Sequence, residues 1–122
     1  MFSTIKILLV EDEDLIRRLL SEAMEDDGFD VLQVATGDDA LRYLLPNTNV
    51  DLLMTDLQLP GTLDGLDLAA AVRRHHPELP IIFTTGQPDR MGAWTTGAAD
   101  LFIPKPYRPS QVCAAARRLI GR

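Results

Sequence analysis

Short apolar segments alternate with longer amphipathic ones along this chain, and no other feature of the sequence limits the fold so strongly. The strand-like segments are IKILLV at 5–10, DVLQV at 30–34, DLLMT at 51–55, PIIFT at 80–84 and DLFI at 100–103. Three of these segments are near-continuous apolar runs, which is typical of strands covered on both faces. The pattern therefore predicts five strands.

The stretches between the strands repeat apolar residues at the spacing of a helix. They predict helices at 14–25, 38–45, 64–75 and 109–120. Residues that favour helix starts stand at three of these sites, and they are Thr36 or Gly37, Asp64 and Pro109.

A further helix is expected within residues 86–100, but the composition of that stretch is unfavourable. Pro88 removes a backbone donor, and Gly92 and Gly97 each lower helix stability. The sequence therefore predicts that this fourth helix in chain order is short or irregular.

Strict alternation of strands and helices with short connections predicts an α/β fold. The expected architecture is an open, doubly wound, five-stranded parallel sheet with helices on both faces and right-handed crossovers. We expect residues 1–122 to form a single domain, since a chain of this length hides roughly two-thirds of its unfolded surface. Such sheets bind ligands beyond the carboxyl ends of their strands, where the strand order reverses.

The net charge and the cysteine content argue against several classes of function. The formal net charge of −6 opposes contact with a nucleic-acid backbone or an anionic membrane. Cys113 is the only cysteine, so an internal disulfide and a thiolate metal cluster are both excluded. The chain starts without the pattern of a signal peptide, and no apolar run is long enough to cross a bilayer. A cytoplasmic monomer or weak dimer is the expectation.

Polar residues with the chemistry of a phosphate site stand where four of the predicted strands end. Glu11 and Asp12 follow the first strand, Asp56 the third, the segment 84–86 the fourth and Lys105 the fifth. Taken singly, each has a structural explanation, since acids cap helices and threonines are frequent in strands. Because the carboxyl ends of parallel strands lie along one edge of a sheet, we expect all four sets to face one crevice.

Three carboxylates in one crevice repel one another unless one is protonated or a cation binds between them. Oxygen ligands without nearby histidine or cysteine suit Mg²⁺, which is typically held by one or two carboxylates together with a phosphate. Asp56 is placed to attack phosphorus. Lys105, the Thr85 hydroxyl and the Gly86 N–H can then stabilise the phosphoryl oxygens. These residues predict phosphoryl transfer onto an aspartate.

The ordered set of motifs resembles the receiver domain of two-component response regulators over essentially the whole chain. The resemblance is carried by LLVEDE, DLLMTDLQLPG, DGLDLA, PIIFTTG and FIPKP. It implies a flavodoxin-like fold with strand order 2-1-3-4-5. It also implies a histidine kinase or histidine phosphotransfer protein as phosphoryl donor and an output protein as partner. Single-domain receivers and the receivers of hybrid kinases both fit, and the partners themselves cannot be read from the residues.

The resemblance assigns a role to each residue of the crevice. Asp56 is the implied phosphoacceptor. Lys105, joined to Pro106 by a cis bond, is the implied contact to the phosphoryl oxygens. The implied Mg²⁺ ligands are Glu11, Asp12, Asp56 and the backbone carbonyl of Gln58.

The same resemblance implies residues that bind the phosphate and respond to it. Gly86 and Leu57 are the implied phosphate-binding residues. Thr85 is the implied switch hydroxyl, with Thr84 as the alternative. Phe102 stands at the position of the switch aromatic, and a plain core phenylalanine explains it equally well.

Two features modify the family pattern. The loop PGTLDG at 60–65 holds one residue more than the commonest form, at a place that leaves the chemistry of Asp56 intact. Gln58 and Gln87 stand at positions whose side chains influence water access to the phosphoaspartate in the family. Two neutral amides there imply an intermediate phosphoaspartate lifetime.

Three classes of function place an aspartate at the end of a strand. The favoured class is a phosphorylation switch that catalyses its own phosphorylation and is not a turnover enzyme. Its implied docking ridge for the donor lies on the first helix, at Leu15, Arg17, Arg18 and Leu19. The alternative is a receiver-like interaction module without phosphorylation, which the complete site disfavours. A phosphohydrolase of the haloacid-dehalogenase type needs a second aspartate where Gln58 stands.

Overall fold

Strands and helices alternate along the part of the chain that the structure describes, which is residues 4–46, 49–86 and 100–121 of a computed structural model. The five strands in those ranges are β1 Lys6–Val10, β2 Asp30–Val34, β3 Leu52–Asp56, β4 Ile81–Thr85 and β5 Asp100–Pro104. The four helices in the same ranges are α1 Asp14–Asp26, α2 Gly37–Leu44, α3 Gly65–His75 and α4 Pro109–Ile120. The short or irregular helix expected within 86–100 falls on residues outside the described ranges.

The strands form one parallel sheet in the order β2-β1-β3-β4-β5. The predicted flavodoxin-like architecture and strand order are therefore confirmed. The chain runs outward from β1 to β2 and then returns past β1 to β3, so the order reverses between β1 and β3. This reversal opens a crevice at the carboxyl ends of the two strands.

Side chains alternate between two apolar layers along each central strand. On β1, Ile7 and Leu9 join the layer packed under α1 and α4, whereas Leu8 and Val10 join the layer packed under α2 and α3. All residues of β3 and β4 are buried, because helices cover both faces of the sheet at its centre. None of the helices in the described ranges is long and apolar enough to cross a membrane.

The predicted helix starts are confirmed, and two of them rest on local side-chain hydrogen bonds. The Thr36 side chain accepts the N–H of Asp39 at 3.0 Å and caps α2. Asp64 and Asp67 cap α3 reciprocally, each side chain accepting the backbone N–H of the other. Pro109 occupies the first turn of α4, where its missing N–H has no cost.

Three strands, β3, β4 and β5, end one residue later than the sequence pattern predicts, whereas β1 and β2 end where it predicts. Asp56 is the last residue of β3 and lies in register with Thr84 of β4. The pairing continues beyond it, since the N–H of Leu57 donates to the Thr84 carbonyl at 2.9 Å. A charged residue can end this buried strand because its backbone still pairs while its side chain reaches the edge of the sheet.

Candidate functional site

The predicted strand ends meet at one edge of the sheet. Glu11 directly follows β1, Asp56 ends β3, Thr85 ends β4 and Lys105 directly follows β5. Glu11 and Asp56 are enclosed, with 4% and 7% of their surfaces exposed, whereas Asp12 is open to solvent. The edge therefore holds two sheltered carboxylates beside an accessible one.

Carboxylate oxygens of Glu11, Asp12 and Asp56 all lie within 4.8 Å of one another. Charges this close raise one another's cost of ionisation, so the cluster attracts a cation. All three donors are hard oxygens, the ligand type that Mg²⁺ prefers, and the exposed face at Asp12 leaves room for the waters that Mg²⁺ retains. The residues present thus fit the ion implied by the sequence.

The Lys105 ammonium supplies a positive charge inside this cluster. Its Nζ lies 2.6 Å from Asp56 Oδ2 and 3.9 Å from Glu11 Oε1. Burial by itself lowers the pKa of Lys105, but its hydrogen bond to Asp56 and the charges of both acids outweigh that effect and raise the pKa. The lysine therefore stays an ammonium ion beside Asp56.

The Glu11 carboxyl is shifted toward its neutral form. Burial raises its pKa and the nearby charge of Asp56 raises it further, while the Glu13 N–H and the Lys105 charge act in the opposite direction. The net pKa of Glu11 lies above its ordinary value. Ionisation of this acid is consequently disfavoured in the enclosed site in the absence of a cation.

The backbone of Lys105 is tied to β4. Its N–H donates to the Thr85 carbonyl at 2.7 Å, and its bond to Pro106 is cis, as the resemblance implied. The lysine is thereby anchored to the strand end that carries the candidate switch hydroxyl.

The candidate switch residues lie on and beside β4. Thr84 and Thr85 are both buried, at 2% and 0% exposure, and the exposed Gly86 follows them. Phe102 is partly buried and stacks on Phe83 with 4.8 Å between ring centroids. It thus packs in the apolar layer under α2 and α3, while Gln87 lies outside the described residues.

The loop after β3 supplies backbone groups to the site. The Gln58 N–H points at Asp56 Oδ1, 3.3 Å away. The Leu57 N–H, by contrast, is engaged with Thr84 in the sheet, and the Leu57 side chain is fully buried. Sequence reasoning assigned the Gln58 carbonyl to Mg²⁺ and the Gln58 side chain to water access, and it missed the Gln58 N–H as the amide directed at the phosphoacceptor candidate.

Gly65 is the other residue that sequence reasoning missed. Its N–H donates to the Leu57 carbonyl at 2.9 Å, and a Cβ added at this position would overlap the Asp56 carbonyl oxygen and lie 2.8 Å from the Leu57 Cα. The first turn of α3 therefore packs directly on the backbone of the site. A glycine immediately after the N-cap Asp64 is the available signal, since glycine is a poor helix former.

Comparison with known proteins decides the family. The family model described as the response regulator receiver domain matches residues 7–117. The chain belongs to the response regulator receiver domain family. The resemblance inferred from the motifs is thus confirmed, and the family is a phosphoacceptor switch of two-component signalling rather than a classical enzyme.

The receiver domain is 34% identical over 120 residues to the transcriptional regulatory protein SrrA of Staphylococcus aureus. The match covers 96% of this chain and 48% of SrrA, so the chain spans about half the length of that curated relative. Among solved structures, the non-phosphorylated HemR receiver domain of Leptospira biflexa has a TM-score of 0.83 at 34% identity, over 98% of this chain and 96% of that one. A response regulator receiver protein of Sinorhizobium medicae WSM419 has a TM-score of 0.88 at 25% identity, with 98% and 96% coverage.

Proposed function

We propose that residues 1–122 act as one receiver domain that accepts a phosphoryl group on Asp56 from a histidine kinase or histidine phosphotransfer protein. Phosphorylation then changes the affinity of the domain for an output protein. The observation that carries this proposal is the pairing of an enclosed carboxylate with a lysine ammonium, Asp56 with Lys105 at 2.6 Å, inside a cluster of three acids. An interaction module that never accepts phosphate would have no use for this arrangement.

The cofactor proposed for the reaction is Mg²⁺. Glu11, Asp12 and Asp56 would hold it, together with the backbone carbonyl of Gln58. When bound, Mg²⁺ supplies positive charge to the oxygens of the transferring phosphoryl group.

The chain's own residues carry the transfer. A carboxylate oxygen of Asp56 forms the bond to phosphorus while the P–N bond of the donor's phosphohistidine breaks and the imidazole leaves. The Lys105 ammonium exchanges its contact with Asp56 for one with a phosphoryl oxygen. The Gly86 N–H and the Gln58 N–H donate to the other oxygens, which stabilises charge as it moves from the donor.

The switch is proposed to run from Thr85 to Phe102. A phosphoryl group on Asp56 accepts a hydrogen bond from the Thr85 hydroxyl and draws the end of β4 toward β3. The space this vacates on the α2 and α3 side admits the ring of Phe102, which now stacks on Phe83 and stays partly exposed. The domain's population thereby shifts between two packed conformers.

The donor is proposed to dock on α1. Leu15 and Leu19 are 69% and 58% exposed and lie one helical turn apart on α1, an arrangement that favours a joint apolar contact surface. Leu19 also lines an apolar groove that runs to Pro106 and Lys105. A helix of the donor lying in this groove brings its phosphohistidine to the site.

Intact-mass spectrometry after incubation with acetyl phosphate tests the chemistry. We expect one added phosphoryl group on the wild type with Mg²⁺, and none with a chelator or in the Asp56→Asn variant. Asp51→Asn, placed just before the opposite end of the same strand, is the matched control and accepts phosphate as the wild type does. Absence of the adduct with acetyl phosphate and with a panel of histidine kinases contradicts the proposal and leaves the unphosphorylated interaction module.

The docking surface has its own test. Leu15→Ser combined with Leu19→Ser is expected to slow transfer from a cognate kinase and to leave the rate with acetyl phosphate unchanged, since a small donor needs no docking. Equal losses with both donors contradict the docking proposal alone.

A further inference from the structure

Two neighbouring arginines of α1 have different surroundings. The side chain of Arg17 is 15% exposed and turned toward the turn between β1 and α1, whereas Arg18 is exposed. The two residues carry the same charge at consecutive positions of one helix. A difference between their roles must therefore come from their contacts.

The guanidinium of Arg17 closes the β1–α1 turn. Nη1 donates to the carbonyl of Glu11 at 2.9 Å, and Nη2 donates to Asp14 Oδ1 at 2.7 Å. The backbone N–H of Arg17 donates to the Glu13 carbonyl at 2.9 Å. That backbone bond is the ordinary first hydrogen bond of the helix, so the contribution particular to the arginine is its guanidinium, which joins the Glu11 backbone to the first residue of α1.

Glu11 is consequently fixed on both sides of its Cα. Its N–H donates to the Val34 carbonyl at 3.2 Å, and its carbonyl accepts from Arg17. Its side chain accepts the Glu13 N–H at 3.0 Å through Oε2. With both neighbouring peptide planes held, the direction in which the Glu11 side chain leaves the backbone is set, and Asp12 begins from a fixed peptide plane.

We propose that Arg17 is a positioning residue for the divalent-cation site, an inference that rests on the proposed function. Its guanidinium binds the Glu11 carbonyl, on the side of the turn away from the cluster, and holds Glu11 and Asp12 at the distance from Asp56 that a shared ion requires. The hydrogen bonds it makes go to the Glu11 backbone and to Asp14, outside the three carboxylates of the cluster. Arg17 therefore shapes the site without occupying it.

Charge and positioning predict effects of opposite sign, which makes the inference testable. Removing a positive charge near a cation site strengthens cation binding if charge alone matters. Removing a group that orients the ligands weakens binding, typically by about tenfold or more. Arg17→Gln is thus expected to weaken Mg²⁺ binding, whereas Lys105→Met, which frees Asp56 from an ammonium ion, is expected to strengthen it.

Thermal unfolding of the full chain at increasing Mg²⁺ concentration, starting from chelator-treated protein, separates affinity from stability. A ligand that binds the folded state stabilises it by an amount that grows with the logarithm of one plus the ligand concentration divided by its dissociation constant, so the melting temperature begins to rise near that constant. A purely structural role of Arg17 lowers the melting temperature equally at every Mg²⁺ concentration. A positioning role moves the Mg²⁺ concentration at which the rise begins.

We expect that concentration to increase about tenfold in Arg17→Gln and to stay at the wild-type value in the matched variant Arg18→Gln. Arg17→Lys keeps the charge but has one ammonium for two acceptors, so its shift is expected to be intermediate, about threefold. If Arg17→Gln does not fold, the Arg17→Lys variant decides by the same measure.

A wild-type or lower Mg²⁺ requirement in the folded Arg17 variants overturns the positioning role and leaves the proposed function standing. Equal shifts in the Arg17 and Arg18 variants overturn it too, because they assign the effect to helix charge. If the melting temperature of the wild type does not change with Mg²⁺ concentration, that result contradicts the proposed function and, with it, the inference about Arg17.

Discussion

The two turns that flank Asp56 are held in different ways. The turn after β1, residues 11–13, is closed by the guanidinium of Arg17, which bonds to the buried Glu11 backbone. The loop after β3, residues 57–64, is held where Gly65 packs on the backbone of Asp56 and, farther out, by the Thr62 hydroxyl on Asp38. One turn depends on a charged donor and the other on close backbone packing.

The difference follows from what each turn brings to the site. The turn after β1 presents two carboxylates, and their repulsion with Asp56 pushes the turn outward in the absence of a cation. The loop after β3 presents neutral backbone groups of Gln58, so steric fit suffices to hold it.

The largest effect is expected from a substitution that disrupts the packing of α3 against the loop after β3. Gly65→Ala places a Cβ against the Asp56 carbonyl, and we expect it to lower the free energy of unfolding by about 3 kcal/mol or more. Gly86→Ala is the control, since none of the described residues lies within 4 Å of an added Cβ there, and its effect is expected to stay within about 1 kcal/mol. Urea unfolding of both variants measures this, and equal stabilities would show that the backbone approach at Gly65 is not restrictive.

The second-largest effect is expected at Glu11, on the turn after β1, because burial there opposes the ionisation of its carboxyl group. Because the pKa of Glu11 is raised in the folded protein, its contribution to stability is fully present below the ordinary glutamate pKa and is lost as pH rises through the folded value. Glu11→Gln is therefore expected to be more stable than the wild type near pH 7 without divalent cations. The advantage should disappear below about pH 4.3, the ordinary pKa of glutamate.

Chemical denaturation in chelator at several pH values checks this effect. Glu22→Gln, at an exposed position of α1, is the control and should follow the wild type. A Glu11→Gln variant that is less stable than the wild type at neutral pH would mean that Lys105 already compensates the buried charge.

The smallest effect is expected at Thr62, at the exposed end of the loop after β3. The Thr62 hydroxyl lies 2.9 Å from both carboxylate oxygens of Asp38, but solvent competes for these groups. A double-mutant cycle of Thr62→Val and Asp38→Ala should give a coupling energy of about 0.5–1 kcal/mol. A coupling as large as the effect of Gly65→Ala would mean that the hydroxyl, not the backbone approach, holds the loop.

The fold was largely predictable from the sequence, because its determinants are local. Continuous apolar runs indicated β3 and β4 as covered strands, and the side chains of Thr36 and Asp64 cap their helices through bonds that span three residues. The end of β3 was predicted one residue too early. Its last pairing depends on β4, which lies far away in the chain, so no local pattern reports it.

The sequence by itself determined which residue types stand at the site: three carboxylates, a lysine, hydroxyls and a glycine at the ends of parallel strands, which the fold must bring to one edge. Only the tertiary structure decided how they are held. It turned Arg17 inward and left Arg18 in solvent, aimed the Gln58 N–H at Asp56, and pressed Gly65 onto the strand end. These arrangements depend on distances between folded elements, and a pattern of residue types along the chain does not contain those distances.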